Sequence, residues 1–271
     1  LHIPYCRRLC WFCACRTQGT ATDRPLVPYL SYLRHELDLV GRNLRPDVTI
    51  SQVHLGGGTP TLLSPDMIRE LGDVLHAFRP TAPDLQFSVE IDPTEVDAAR
   101  IAALREIGMT RASIGVQDFD PLVQDSIGRI QGFDTTCRVV DELRAAGVES
   151  LNMDILYGLP HQTRARITDS VQKVLSMSPD RVALYGYAHV PWMAKRQALI
   201  PAEALPDAEA RLDLFDTARR LFVWDGYREI GIDHYAREDD SMAQADRDGT
   251  LRRNFQGYTV DDSLALIGIG A

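Results

Sequence analysis

The stretch Ile107-Gly108-Met109-Thr110-Arg111-Ala112-Ser113-Ile114-Gly115-Val116-Gln117-Asp118 contains one complete junction between structural units. The amphipathic run Glu95–Ile107 ends at Gly108, where a glycine can close a helix in the left-handed conformation. The apolar run Ala112–Val116 then reads as a strand, and the polar pair Gln117-Asp118 follows it. The junction recurs at Gly147, which separates a helical run, Phe133–Ala146, from a strand, Leu151–Leu156. Working outward, further strands are expected at Gln52–Leu55, Gln86–Ile91, Arg181–Tyr187 and Tyr227–Ile232. Helices are expected at Leu26–Asn43, Ser64–Phe78, Thr163–Met177 and Pro206–Asp225, with Ser64-Pro65-Asp66 reading as an N-cap followed by proline in the first turn. Such alternation predicts parallel strands joined by right-handed crossovers. About six units predict an α/β fold, a partial (β/α)6 TIM-like barrel.

In a parallel barrel, chemistry gathers where the strands end. Unusual residues fall at those ends: Gly56-Gly57-Gly58-Thr59-Pro60, Glu90 and Asp92, Gln117-Asp118, Asp154 with Tyr157-Gly158, and Tyr187-Ala188-His189. Gln244–Arg253 is polar and expected at the surface.

The chain has 271 residues, 45% hydrophobic and 25% charged, as ordinary globular proteins do. Its formal charge of −9 argues against nucleic acid and against an anionic membrane surface as partners. No apolar run is long enough to span a bilayer, and no leader with a cleavage site opens the sequence. Leu1 is not a natural start and Ile269-Gly270-Ala271 stops inside an apolar run, so a longer parent chain is expected.

Four of the five cysteines, Cys6, Cys10, Cys13 and Cys15, lie within ten residues, while Cys137 falls in a helical run. That density suits a metal site in a reducing compartment, the cytoplasm, better than a disulfide framework. Three thiolates on one loop can hold three irons of a cubane cluster and leave the fourth iron open. Cys15 keeps a second set open, since four thiolates also make a structural zinc site.

Cys6-x3-Cys10-x2-Cys13, with Phe12 before the third cysteine and His2-Ile3-Pro4-Tyr5 before the first, resembles the radical S-adenosylmethionine (SAM) signature. The segment His2–Cys15 resembles the oxygen-independent coproporphyrinogen III oxidases (dehydrogenases). The resemblance continues through Gly56–Thr61, Val89–Pro93, Gly115–Phe119, Asp154–Pro160, Tyr187–Pro191, Gly231–Ala236 and Asn254–Thr259. A related haem-chaperone group typically has an aromatic residue in place of Cys15 and lacks the Asn254–Thr259 segment.

The resemblance implies a radical SAM barrel over residues 1–235 and, over 236–271, the start of a region that covers the substrate. It implies a [4Fe–4S] cluster on Cys6, Cys10 and Cys13, with Cys15 as a catalytic thiol. It assigns Gly57 and Glu90 to a first SAM, and Phe12, Gly58, Thr59, Gln117, Arg129, Asp154 and Ala188 to a second. The implied reaction is the oxidative decarboxylation of two propionate side chains of coproporphyrinogen III to vinyl groups, giving protoporphyrinogen IX in anaerobic haem biosynthesis. The implied partners are that substrate and an electron donor such as flavodoxin or another reductase. Arg7, Arg8, Arg16 and Arg252-Arg253 are candidate partners of the substrate carboxylates. The alternatives are a haem chaperone, or a haem-degrading or methyl-transferring relative.

Overall fold

The computed structural model describes residues 1–254 and 257–270. Its first elements are the short strands β1 (His2–Ile3), β2 (Tyr5–Cys6) and β3 (Gln18–Gly19), followed by α1 (Leu26–Asn43). Then the alternation sets in: β4 (Ile50–Gly57), α2 (Pro65–Phe78), β5 (Thr81–Ile91), α3 (Ala98–Glu106) and β6 (Arg111–Gln117). It continues with α4 (Pro121–Ser126), α5 (Phe133–Ala145), β7 (Ser150–Tyr157), α6 (Arg164–Ser176), β8 (Arg181–Gly186) and α7 (Ala208–Trp224). The last elements are β9 (Arg228–Ile230), β10 (His234–Ala236), α8 (Ser241–Arg247) and the hairpin β11 (Arg252–Asn254) with β12 (Gly257–Thr259).

One eight-stranded sheet has the order β1-β4-β5-β6-β7-β8-β10-β9. The pairs from β1 to β8 are all parallel. The barrel is therefore partial and mainly parallel, with helices outside, as the alternation implies. One strand departs from expectation. Tyr227–Ile232 does not extend the parallel run: only Arg228–Ile230 is strand, and it pairs antiparallel with β10, itself antiparallel to β8. The reason is connection length. Three residues starting at Gly231, in the left-handed conformation at φ 62°, allow a hairpin but no crossover. The sixth parallel strand is instead β1, only two residues long.

The helix ends follow the local chemistry. The Ser64 hydroxyl accepts from Met67 N at 3.3 Å, and Gly108 and Gly147 close their helices at φ 105° and 78°. Along β6 the residues alternate. Ala112, Ile114 and Val116 are buried in the core shared with the helices, whereas Arg111, Ser113, Gly115 and Gln117 face the barrel interior. Gln244–Arg253 is not wholly surface: the end of α8 occupies its start and buries Ala245. Phe255 and Gln256 of the late motif lie outside the described residues.

Candidate functional site

The cysteine loop has little secondary structure of its own, and distant groups give it its shape. Trp11 N–H donates to Ile127 O at 2.9 Å, and the Trp11 ring sits against Gly128, where a Cβ would clash with the indole. Arg8 Nη1 donates to Ile130 O at 2.9 Å. From the other side, Gln197 Nε2 donates to Phe12 O at 2.9 Å, and Arg196 Nη2 donates to Cys15 O and Thr17 Oγ1, both at 3.0 Å.

Below the loop, the glycine turn is set by backbone contact. Gly58 N and Thr59 N donate to Ile3 O and Tyr5 O at 2.8 Å, and Gly57 N donates to Glu90 Oε2 at 3.0 Å. Gly57 has φ 113°, and a Cβ there would overlap the His2 ring. These three N–H groups are engaged within the protein, so the turn does not present them to a phosphate.

The loop and the strand ends face each other across one cleft of about 300 Å³. Cys6, Cys10, Phe12, Cys13 and Cys15 line one side, and Gly57, Gly58, Thr59, Glu90, Gln117, Arg129 and Asp154 line the other. Of the residues that the resemblance assigns to cluster and SAM, Ala188 alone is off the cleft lining. Its carbonyl accepts from Gln197 Nε2 at 3.1 Å, the group that also holds Phe12. Sequence reading missed Gln197, His54 and Ser113 as members of this site. The last two sit at period-2 positions on strands that the sequence does identify, so alternation alone could have found them.

The electrostatics divide the cleft. Arg129 is buried; its Nη1 lies 3.4 Å from Cys10 Sγ and 3.3 Å from Asp92 Oδ2, and its Nη2 donates to Gly115 O at 2.9 Å. Burial pushes the Cys6 thiol up, against hydrogen bonds from Thr59 and Thr17. Cys13 is drawn down to about 6, chiefly by the hydrogen bond from the Cys15 thiol, with burial opposing and Arg196 and Arg129 assisting. Cys15 is pushed up by the same contact. Glu90 is held below the usual carboxylate range. Burial works against this, but His54 Nε2 at 3.2 Å and the Gly57 N–H outweigh it. Asp154 goes the other way: burial raises it to about 6, although Asn152 Nδ2 and Ser113 Oγ donate to it at 2.8 and 3.1 Å. Gln117 adopts φ 70° at the irregularity where β6 and β7 shift register.

Among the described residues, no three His, Cys, Asp or Glu side chains gather as the ligands of a single metal ion do. Cys6, Cys10 and Cys13 open instead onto a shared cleft with room for a multi-atom group, with the Arg129 guanidinium beside one thiol. Three soft thiolate donors beside a fixed cation fit an iron–sulfur cluster.

Comparison with known proteins gives the following. Residues 1–174 match the model of the radical SAM superfamily. The oxygen-independent coproporphyrinogen III oxidase of Paracoccus denitrificans is 61% identical over 272 residues, covering 100% of this chain and 60% of that protein. The protein of the same name from Pseudomonas aeruginosa is 40% identical, covering 100% of this chain and 59% of its own length. Among solved structures, the coproporphyrinogen III oxidase of Escherichia coli superposes with a TM-score of 0.96 at 36% identity, over 99% of this chain and 62% of that one. The chain thus spans about 60% of the length of the curated relatives it matches.

Proposed function

This chain belongs to the radical SAM superfamily, and from that premise we propose that it carries the cluster- and SAM-binding part of an oxygen-independent coproporphyrinogen III oxidase. The observation that supports this best is the single cleft. Cys6, Cys10 and Cys13 face Glu90, Gln117, Arg129 and Asp154 across it, in a chain 61% identical along its whole length to one relative of that name. The reaction is the conversion of two propionates of coproporphyrinogen III to vinyl groups. The reductant is a one-electron donor such as flavodoxin or another reductase, and the compartment is the cytoplasm. Among the described residues, no helix is long and apolar enough to cross a membrane.

The cluster and SAM, when bound, supply the 5′-deoxyadenosyl radical chemistry; the chain supplies placement and charge. Cys6, Cys10 and Cys13 hold the cluster. Arg129, beside Cys10, offsets thiolate charge and stays fixed through Asp92 and Gly115. Glu90, ionised and held by Gly57 N–H and His54, offers a carboxylate to hydroxyl or ammonium groups of the first SAM, which Gly57 also lines. Phe12, Gly58, Thr59, Gln117, Arg129, Asp154 and Ala188 serve a second SAM. Cys15, outside the ligand set and at the exposed rim, is the catalytic thiol. Residues 1–235 form the barrel unit, and 236–271 begin a region that covers the substrate, a reading supported by the β11–β12 hairpin across the barrel interior.

Anaerobic reconstitution of the full-length protein, followed by EPR and incubation with SAM, reductant and coproporphyrinogen III, tests this reading. The expected result is a reducible cluster, CO2 release and vinyl products. Tight haem binding with no product would move the assignment to the chaperone group, and a colourless protein holding stoichiometric zinc would end it.

A further inference from the structure

A second chamber of about 550 Å³ lies beneath the cleft and shares Glu90, Ser113, Asp154 and Tyr185 with it as common walls. The two cavities therefore meet at these four residues. Its depth follows from register. Glu90 pairs with Ser113 in one row, and Ser88 pairs with Arg111 in the row below. Two residues along a strand place Arg111 about 6.6 Å deeper than Ser113.

Arg111 is unusually placed for an arginine. It faces the chamber, yet among the described residues it makes no ion pair within 4 Å and no side-chain hydrogen bond. Burial pulls it down to about 10, and neighbouring Arg181 adds to this, while Asp240, Asp180 and Glu149 act on it only from a distance. Arg181 is satisfied: its Nε donates to Asp240 Oδ1 at 2.7 Å and its Nη2 to Ser241 Oγ at 2.9 Å. A half-buried guanidinium with five donors and no carboxylate within ion-pair distance is an open site for a planar anion.

The chamber front is built by the late motif. Tyr258 and Thr259 of β12 line it. Tyr258 is seated against Gly231, where no side chain would fit, and edge-on to His234 at 5.9 Å. The arginines nearer the surface are engaged or exposed: Arg7 pairs with Asp23, Arg8 bonds Ile130 O and Thr94, and Arg253 lies over the Tyr258 ring.

We propose that this chamber is the receptor for a carboxylate arm of the substrate, with Arg111 as its cationic floor. The proposal rests on reading the substrate as a tetracarboxylic porphyrinogen. On an acidic chain, it assigns the anion a cation inside the barrel rather than one on the surface.

A carboxylate could also come from SAM, so the test separates the two. Full-length reconstituted protein is titrated with coproporphyrin III (the stable oxidised tetracarboxylate), with its tetramethyl ester, and with SAM. Arg111→Gln is expected to weaken coproporphyrin binding roughly 10- to 100-fold, the loss of one charge-assisted pair. Arg111→Lys is expected to recover part of the loss. The ester should bind parent and variant alike, and SAM binding should be unchanged. Ser88→Asp keeps Arg111 but places an internal carboxylate opposite it. That variant should lose coproporphyrin affinity as well, so the proposal does not depend on Arg111→Gln folding. Unchanged coproporphyrin affinity in Arg111→Gln or in Ser88→Asp overturns the proposal. So does a loss confined to SAM, which would give the chamber to the cofactor. A parent protein that binds no coproporphyrin and releases no CO2 ends the functional reading itself, a result distinct from the failure of the Arg111 variants alone.

Discussion

On one wall of the cleft, Glu90 and Ser113 occupy a single register row, which Asn152 continues in the adjoining chamber, and their positions follow from strand pairing. On the other wall, Cys6 to Thr17 pass through a loop whose regular pairing is limited to two short strands. The loop takes its shape from Arg129, Arg196, Gln197 and the Ile127 carbonyl, all more than a hundred residues away. The ladder wall is rigid because each residue is fixed by its neighbours on both sides. The loop wall is rigid only while a few long side chains hold it. The cysteine wall is therefore the one more easily loosened, and the strand wall should outlast it.

The largest effect expected is at the loop's centre. Cys10→Ala should leave no EPR-visible cluster and no SAM cleavage, with the far-UV circular dichroism of the barrel unchanged; loss of barrel signal would mean that the walls are not separable. Next is Arg129→Met, which takes the cation from Asp92 and leaves that half-buried carboxylate only its hydrogen bonds from Thr94. It should cost about 1–3 kcal/mol in a urea titration and raise hydrogen exchange in the cysteine loop more than in β5 to β7. Uniform loss of protection would break the comparison.

On the ladder wall the sign reverses. Asp154 titrates near 6, above its ordinary value, because it is buried. The native state therefore holds a proton that the unfolded chain has released between roughly pH 4 and 6, and stability falls as pH rises through that window. Asp154→Asn should stabilise the cofactor-free protein by roughly 1–3 kcal/mol at pH 7, with the gap closing toward pH 4 in urea melts. The smallest effect is at Gln117, a non-glycine residue at φ 70°. Gln117→Gly should raise the urea midpoint by about 0.5–1 kcal/mol of stability, the relief of left-handed strain less the entropy of glycine. No change would mean that the bulge carries no strain.

The ladder wall is largely legible in the sequence. Period-2 alternation and glycine stops place β4 to β8 within about five residues and put Glu90 and Gln117 at strand ends; Asp154, expected at an end, instead lies inside β7 with three strand residues after it. The loop wall is legible as chemistry but not as geometry. The cysteine spacing points to thiolate chemistry, yet nothing local to it announces that Gln197 and Arg196 hold the loop, because those contacts span more than 170 residues. Arg129 reads equally well as a surface arginine; its burial depends on the packing of α4, a six-residue helix too short to show a period in the sequence. Tyr227–Ile232 misleads for a similar reason. A strand's composition does not encode its direction, and only the short connection after Gly231 turns it back.

The two-residue strand β1 has a consequence in time. It is clasped from both sides: His2 and Ile3 pair with Gly56 and Gly57, and His2 N–H donates to Ile269 O. Cys6 begins just beyond it. During synthesis, at roughly 5–20 residues per second, Ile269 follows the cysteines off the ribosome only after about 13–50 s. For that interval the cysteines are already made while their outermost support is not, so the chain presents loose thiols to the cell before it presents a finished cradle.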